Sequence, residues 1–255
     1  MPHRIVQLTD CHLFADPPQA LRGTVTRPRL TTVLDDVRRR VPDAELVALT
    51  GDTAHDESPE TYLAVREALG ESCQRVRIVP GNHDDRAALR AAFPQTSTGP
   101  AERVTFEATL GSWQVIGIDS QRPGESPGAI GADQLEWLRR RLESSQQHTL
   151  LLMHHPPILV GSPWLDRIGL QDAAELTRLL EAHPQVRLLC CGHVHQELAG
   201  SIGRTSVLTT PAVGPQFRPR TEELVIEPAA QPAYRVLELH ADGSWRSQVL
   251  RCEGP

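Results

Sequence analysis

Short apolar runs rich in Val, Ile and Leu recur along the chain at Ile5 to Thr9, Glu45 to Thr50, Val76 to Val79, Leu150 to Met153 and Arg187 to Cys191. Polar loops follow them, and then segments with helical periodicity, which is the pattern of an α/β fold. Arg29 to Val41 reads as a helix with Pro28 near its first turn. Ser58-Pro59 reads as the cap and first-turn proline of another that runs to about Leu69. Further helices are predicted at Arg86 to Ala92, Asp133 to Glu143 and Asp172 to Ala182. In the second of these Leu135, Leu138 and Leu142 share a face and Arg139, Arg140 and Arg141 are solvated. Arg103 to Thr109 and Trp113 to Asp119 read as neighbouring strands joined at Gly111, and Thr205 to Thr210, Arg235 to Leu239 and Ser244 to Leu250 as further strands. With no internal repeat or obvious linker, one domain over residues 1–255 is expected. The proline-rich stretch Pro211 to Pro232 reads as a long ordered loop, either a functional edge or a loop packed for stability.

The loops just after the strands carry the chemistry. In order they hold Asp10-x-His12, Gly51-Asp52, Gly81-Asn82-His83-Asp84, His154-His155 and Gly192-His193-x-His195. Loops at the carboxyl ends of strands gather along one edge of an α/β sheet, so these polar residues can converge. A lone histidine or Gly-Asp in such a place is usually structural; the repetition carries the argument. Carboxylate, amide and imidazole donors together suit divalent ions of intermediate hardness, Mn²⁺, Fe²⁺ or Zn²⁺, more than a Mg²⁺ cage.

Charge and composition narrow the alternatives. The formal net charge of −6 and the absence of a basic tract argue against a nucleic-acid partner and leave room for a small anionic substrate. All 26 basic residues are arginine, so a P-loop lysine and a Schiff-base lysine are excluded. The start of the chain does not read as a signal peptide and no run approaches a bilayer span, so a cytoplasmic protein without a membrane partner is expected. The five cysteines suggest neither disulfides nor a thiolate zinc site, and Cys11, between Asp10 and His12, is given no catalytic role.

The ordered motifs D-x-H, G-D, G-N-H-D, H and G-H-x-H resemble those of the calcineurin-like metallophosphoesterases, over about residues 5 to 195. The resemblance implies a four-layer αββα sandwich of two mixed β-sheets flanked by helices. It implies a pair of divalent ions, Fe or Mn foremost, with Zn or a mixed pair as alternatives. One ion would be held by Asp10, His12 and His195 and the other by Asn82, His154 and His193, with Asp52 bridging them. His83 matches the family's catalytic histidine, which is not a ligand, and Asn82, His83 and His195 would meet the substrate. Such an ion pair, about 3.5–4 Å apart, can clamp a phosphate and turn a bridging water into hydroxide near neutral pH, for attack on phosphorus. His155 either orients ligands or phosphate, or packs before Pro156. Asp84 and Asp119 either orient imidazoles or, the preferred reading, serve as capping or turn residues, and His3, His55, His148, His183 and His240 are read as surface or structural.

TDCHLFAD at the start, Trp164 to Asp166, LLCCGHVHQEL, TPAVGPQFRP and YRVLELHADG resemble the bacterial cyclic AMP phosphodiesterases of this superfamily. The implied reaction is hydrolysis of 3′,5′-cyclic AMP, or a related cyclic nucleotide, to the monophosphate by a monomer or homodimer. A broader phosphodiesterase or phosphomonoesterase, such as a glycerophosphodiesterase, is the main rival, and a non-catalytic metal-binding scaffold a more remote one. Leu13-Phe14, Trp164 and Gln216-Phe217 are candidate walls for the nucleobase, in competition with core packing. Arg218 and Arg220 either draw in an anion or, the preferred reading, are solvated loop residues.

Overall fold

A strand covered on both faces needs apolar side chains at odd and even positions alike, which is why the strand runs look continuous and not alternating. The computed structural model describes residues 1–96 and 103–253, so the expectation of one domain over 1–255 reaches beyond the described residues. In chain order the elements are β1 (His3–Leu8), β2 (Ala20–Leu21), β3 (Thr24–Val25), α1 (Thr26–Arg40), β4 (Leu46–Thr50), α2 (Pro59–Leu69), β5 (Val76–Val79) and α3 (Arg86–Ala92). There follow β6 (Phe106–Leu110), β7 (Trp113–Ile118), α4 (Ala132–Glu143), β8 (His148–Met153), α5 (Pro163–Asp166), α6 (Ala173–Ala182) and β9 (Val186–Cys191). The chain closes with β10 (Leu198–Ile202), β11 (Thr205–Thr209), β12 (Ala233–Leu239) and β13 (Trp245–Arg251).

One sheet has the order β13-β12-β1-β4-β5 and the other β10-β11-β9-β8-β7-β6, while β2 and β3 form a small separate hairpin. In the first sheet β1, β4 and β5 are parallel and β12 runs against β1; in the second, β7, β8, β9 and β11 are parallel and β6 and β10 are antiparallel edges. Both sheets are therefore mixed. Alternate residues of one strand enter different cores. Ile5, Leu150, Leu152, Leu188 and Cys190 pack between the sheets. Val6 faces α1 and α2 through Leu30, Val33 and Val65, and Leu151, Met153 and Leu189 face α4 and α6 through Leu138, Leu142 and Leu176. The layers are helix, sheet, sheet, helix. Burying a leucine of this kind contributes about 1.5–3 kcal/mol.

Local signals explain the helix starts. Ser58 accepts from Thr61 N–H at 3.3 Å with Pro59 opening α2, and Asp85 accepts from Ala88 N–H at 2.7 Å to begin α3. Helix α1 has no side-chain cap and begins at Thr26, ahead of the expected Arg29. The Thr26 hydroxyl donates instead to His12 C=O at 2.9 Å, which ties the helix start to the first motif loop. A polar seam joins the sheets below the motif loops. Thr210 donates to Gln7 Oε1 at 2.7 Å, Gln7 to Thr50 Oγ1 at 2.9 Å, and the buried Arg235 guanidinium to Thr210 Oγ1 and Thr209 C=O.

Candidate metal centre

Asp10 and His12 follow β1, Asp52 follows β4, and Asn82 and His83 follow β5; His154 follows β8, and His193 and His195 follow β9. These are all carboxyl ends of parallel strands, and the sandwich brings the two sets face to face. Within each set the backbone joins neighbouring loops directly, with Asp10 N–H on Gly51 C=O at 3.0 Å and His12 N–H on Asp52 C=O at 2.8 Å in the first, and Gly192 N–H on His154 C=O at 3.0 Å in the second. Asp10 reaches across to the second sheet, accepting from His193 N–H at 3.1 Å, while Asp52 accepts from His83 N–H at 2.9 Å. Gly51 and Gly81 permit this closeness. A Cβ on Gly51, whose φ is +94°, would lie 2.2 Å from His154 Nδ1, and one on Gly81 would lie 2.1 Å from Asp52 Oδ1.

Asp10, His12, Asp52, His193 and His195 all have left-handed backbone, with φ between 46° and 69°. For residues with a Cβ this costs on the order of 1–2 kcal/mol each, and such strain concentrates at functional sites. The side chains converge as a result. His12 Nε2 lies 3.2 Å from His195 Nε2 and 3.5 Å from Asp52 Oδ2, His195 Nε2 lies 3.3 Å from Asp10 Oδ1, and His154 Nε2 lies 3.4 Å from Asp52 Oδ2. Asp10, His12 and His195 form one buried cluster of donor atoms, and Asp10, Asp52 and His154 an adjoining one.

The donor chemistry fits divalent cations. Three imidazoles have one ring nitrogen engaged by a backbone carbonyl: His154 Nδ1 by Thr50 C=O at 2.8 Å, His193 Nε2 by Ile168 C=O at 3.1 Å and His195 Nδ1 by Pro215 C=O at 2.5 Å. A carbonyl only accepts, so it fixes a proton on that nitrogen and leaves a lone pair on the other. His154 Nε2 and Asn82 Oδ1 are buried without a hydrogen-bond partner, a costly state that a cation would relieve. Burial holds His12 and His193 far below the usual histidine range, hence neutral. Burial also pushes His154 down, but the charge of Asp52, 3.4 Å from its Nε2, with Asp10 beyond, outweighs it and raises the imidazole to about 9.

His155 is not a free donor. Its Nδ1 pairs with Ser120 Oγ at 2.8 Å and its Nε2 with Ser126 C=O at 3.1 Å, and burial lowers it to about 3. It pins the loop from Ser120 to Ser126 beside His193, whose ring centre is 4.5 Å away. Asp84, expected in a cap or turn, instead ties two motif loops together: it accepts from Gly81, Thr53 and Ala54 N–H and from Tyr62 O–H, all within 3.2 Å. Burial and the charge of Asp52 raise it to about 6. Asp119 is a buried partner of Arg86, with bonds of 2.7 and 2.9 Å, that anchors the start of α3. Burial raises the Cys11 thiol well above its usual range, which removes it as a nucleophile.

The pattern that defines the calcineurin-like phosphoesterases matches residues 3–197. A 3′,5′-cyclic adenosine monophosphate phosphodiesterase, CpdA, from Escherichia coli K12 is 38% identical over 249 residues, 97% of this chain and 89% of that protein. A probable cyclic nucleotide phosphodiesterase from Synechococcus is 38% identical over 250 residues, 96% of this chain and 91% of that protein. A dimetal phosphatase from Danio rerio shares the fold with a TM-score of 0.69 at 15% identity, over 99% of this chain and 100% of that one. The chain belongs to the calcineurin-like phosphoesterase family. It is a metal-dependent phosphoester hydrolase of the family that uses a pair of divalent ions, and it carries candidate ligand clusters for them.

In this phosphoesterase the centre opens into a cleft of about 320 Å³, a size suited to a small ligand. Asn82 and His83, only part-buried, face it, as do His12, Asp52, His193 and His195. Of the candidate base walls, Trp164 and Phe217 line the cleft, with Phe217 stacked on His195 at 3.9 Å between ring centres and Trp164 edge-on to Phe217 at 5.2 Å. The others do not. Leu13 is in the core under α1, Phe14 is buried against His55, and Gln216 is bonded to Ala212 backbone. The segment Pro211 to Pro232 borders the cleft: Phe217 bridges to Ile226, and this strap places Phe217 and Leu224 on the cleft wall. Arg218 pairs with Glu227 at 3.0 Å, and neither it nor Arg220 lines the cleft.

Sequence reasoning missed His55, Arg22 and Leu21, which line the cleft. Arg22 is exposed in the β2–β3 turn, with φ of 49° and no carboxylate partner among the described residues. The Arg22-Gly23 pair was the available turn signal, but two-residue strands leave no hydrophobic pattern to read. No helix among the described residues is long and apolar enough to cross a membrane.

Proposed function

We propose that the protein hydrolyses 3′,5′-cyclic AMP, or a closely related cyclic nucleotide, to the nucleoside monophosphate in the cytoplasm, with one domain spanning 1–255. The observation that carries this reading is likeness over nearly the whole chain to phosphodiesterases named for cyclic AMP, 38% identical over 97% of its length. The cleft supports it, because the paired aromatic wall of Trp164 and Phe217 adjoins the polar centre. One end would take the phosphate and the other a flat base.

In this reading Asp10, His12 and His195 hold one ion, Asn82, His154 and His193 the other, and Asp52 serves both, with Fe or Mn preferred to Zn. When bound, the ions polarise the phosphoryl group and make water a competent nucleophile near neutral pH. The chain does the rest. His83, its backbone fixed on Asp52, offers its imidazole to the phosphoryl oxygens and then a proton to the departing 3′ oxygen. Asn82 and His195 help to place the phosphate, and Phe217 backs His195 while excluding water from that side.

The test is chromatographic detection of AMP after incubation of Mn²⁺-loaded protein with cyclic AMP, beside bis(p-nitrophenyl) phosphate and an Asn82→Ala control. AMP formation that disappears in the control is expected, with Phe217→Ala raising KM for cyclic AMP more than for the synthetic diester. Cleavage of the synthetic diester alone would overturn the cyclic nucleotide assignment in favour of a broader phosphodiesterase.

A further inference from the structure

Three of the four candidate ligand imidazoles turn their second nitrogen onto a backbone carbonyl; His12 does not. Its Nδ1 faces Nδ1 of His55 at 3.1 Å, while its Nε2 points into the centre, 3.2 Å from His195 Nε2. In the His12–His55 pair two neutral imidazoles at hydrogen-bond distance share one proton, so one donates and the other accepts, whereas the Nε2 atoms of His12 and His195 would both turn lone pairs toward a cation. If His12 Nε2 keeps its lone pair for a cation, its Nδ1 carries the hydrogen, His55 Nδ1 accepts it, and the His55 proton sits on Nε2. A side chain thus fills the role that carbonyls fill for His154, His193 and His195.

His55 is itself held from several sides. Its N–H donates to Leu13 C=O at 2.8 Å, and His12 and Leu13 donate to Asp52 and Thr53 C=O, so the two loops run in fixed register. The ring of Phe14 meets it edge-on at 5.0 Å. On its other side His55 stacks on His83, with ring centres 4.4 Å apart and planes 29° apart. One imidazole therefore touches both a candidate ligand and the candidate catalytic histidine, by different kinds of contact.

We infer that His55 is a positioning residue with two separable actions: it accepts from His12 Nδ1 to hold that ligand in its metal-binding tautomer, and it provides the ring against which His83 is oriented. This inference rests on the proposed roles of His12 and His83. Two substitutions divide the actions. In His55→Gln an amide oxygen can still accept but no ring remains; in His55→Phe the ring remains but nothing accepts.

The experiment measures Mn²⁺ affinity of the metal-free protein by competition with a chromophoric chelator, then kcat and KM on bis(p-nitrophenyl) phosphate at saturating Mn²⁺, with thermal unfolding to verify folding. His55→Phe is expected to lose about 10–100-fold in Mn²⁺ affinity and to keep kcat once loaded. His55→Gln is expected to keep its affinity and to lose about tenfold in kcat with little change in KM, as loss of orientation of a proton-transfer group would produce. The inference is overturned if His55→Phe binds Mn²⁺ as tightly as the parent, or if both variants lose affinity and kcat alike, the signature of a packing role. The affinity measurement involves no turnover, so failure of the cyclic nucleotide reading leaves this result standing.

Discussion

The two sheets contribute to one centre but hold their contributions by different means. The first supplies both carboxylates, Asp10 and Asp52, with Asn82, and its loops after β4 and β5 are tied by one side chain, Asp84, which spans Gly81, Thr53, Ala54 and Tyr62. The second supplies His154, His193 and His195, each fixed at its far nitrogen by a main-chain carbonyl. Carboxylates need donors to gather them, and here the backbone donors of two separate loops are joined by one acceptor side chain placed between. Imidazoles need an acceptor, which backbone carbonyls supply for these three. The first side should therefore be the one that a single substitution can loosen.

The largest expected effect separates chemistry from this scaffolding. His83 belongs to the first side, yet its ring is held by stacking and not by the Asp84 ties. His83→Ala should lower turnover about 10²–10⁴-fold while metal content, read by elemental analysis, stays at the parent value. Loss of metal would make His83 part of the scaffold.

Next comes the comparison itself. Asp84→Ala uncovers three backbone donors and the Tyr62 hydroxyl and should cost about 3 kcal/mol or more in urea unfolding. Ser120→Ala, which removes the partner of His155 on the second side at 2.8 Å, should cost only about 1 kcal/mol. Equal losses would mean that the two sides are not held differently.

The smallest effect is a control away from the centre. Asp36 on α1 is buried, which alone would raise its pKa, but hydrogen bonds from Arg39 and Tyr234 and the charge of Arg40 outweigh this and hold it below the usual range. Because its folded pKa is depressed, the stabilisation is complete above its unfolded pKa of about 3.9 and is lost as pH falls through the folded value. Tyr234→Phe removes a 2.9 Å bond and should cost about 1 kcal/mol at pH 7, with the difference shrinking as pH falls below the unfolded value. A loss that does not change with pH would assign the cost to packing.

The sequence made some of this legible for physical reasons. The strands β1, β4, β5, β8 and β9 are covered on both faces, so their apolar runs stand out, and the motif residues sit at their ends where the turn begins. The edge strand β10, with Ala199, Gly200 and Ser201 exposed, lacks that signal, and the two-residue strands β2 and β3 are too short to have one. His55 and Asp84 could not be placed from their own loops, because each acts on a neighbouring loop whose register is set by the sandwich. The role of the strap from Pro211 to Pro232 likewise depends on where the second sheet delivers His195.

The left-handed backbone at Asp10, His12, Asp52, His193 and His195 bears on how such a centre could be transplanted. A designer who copied only these side chains onto extended loop ends of another two-sheet scaffold would send each one along a different vector. The handedness of five peptide units is part of the specification, and the recipient would have to possess it before receiving any ligand.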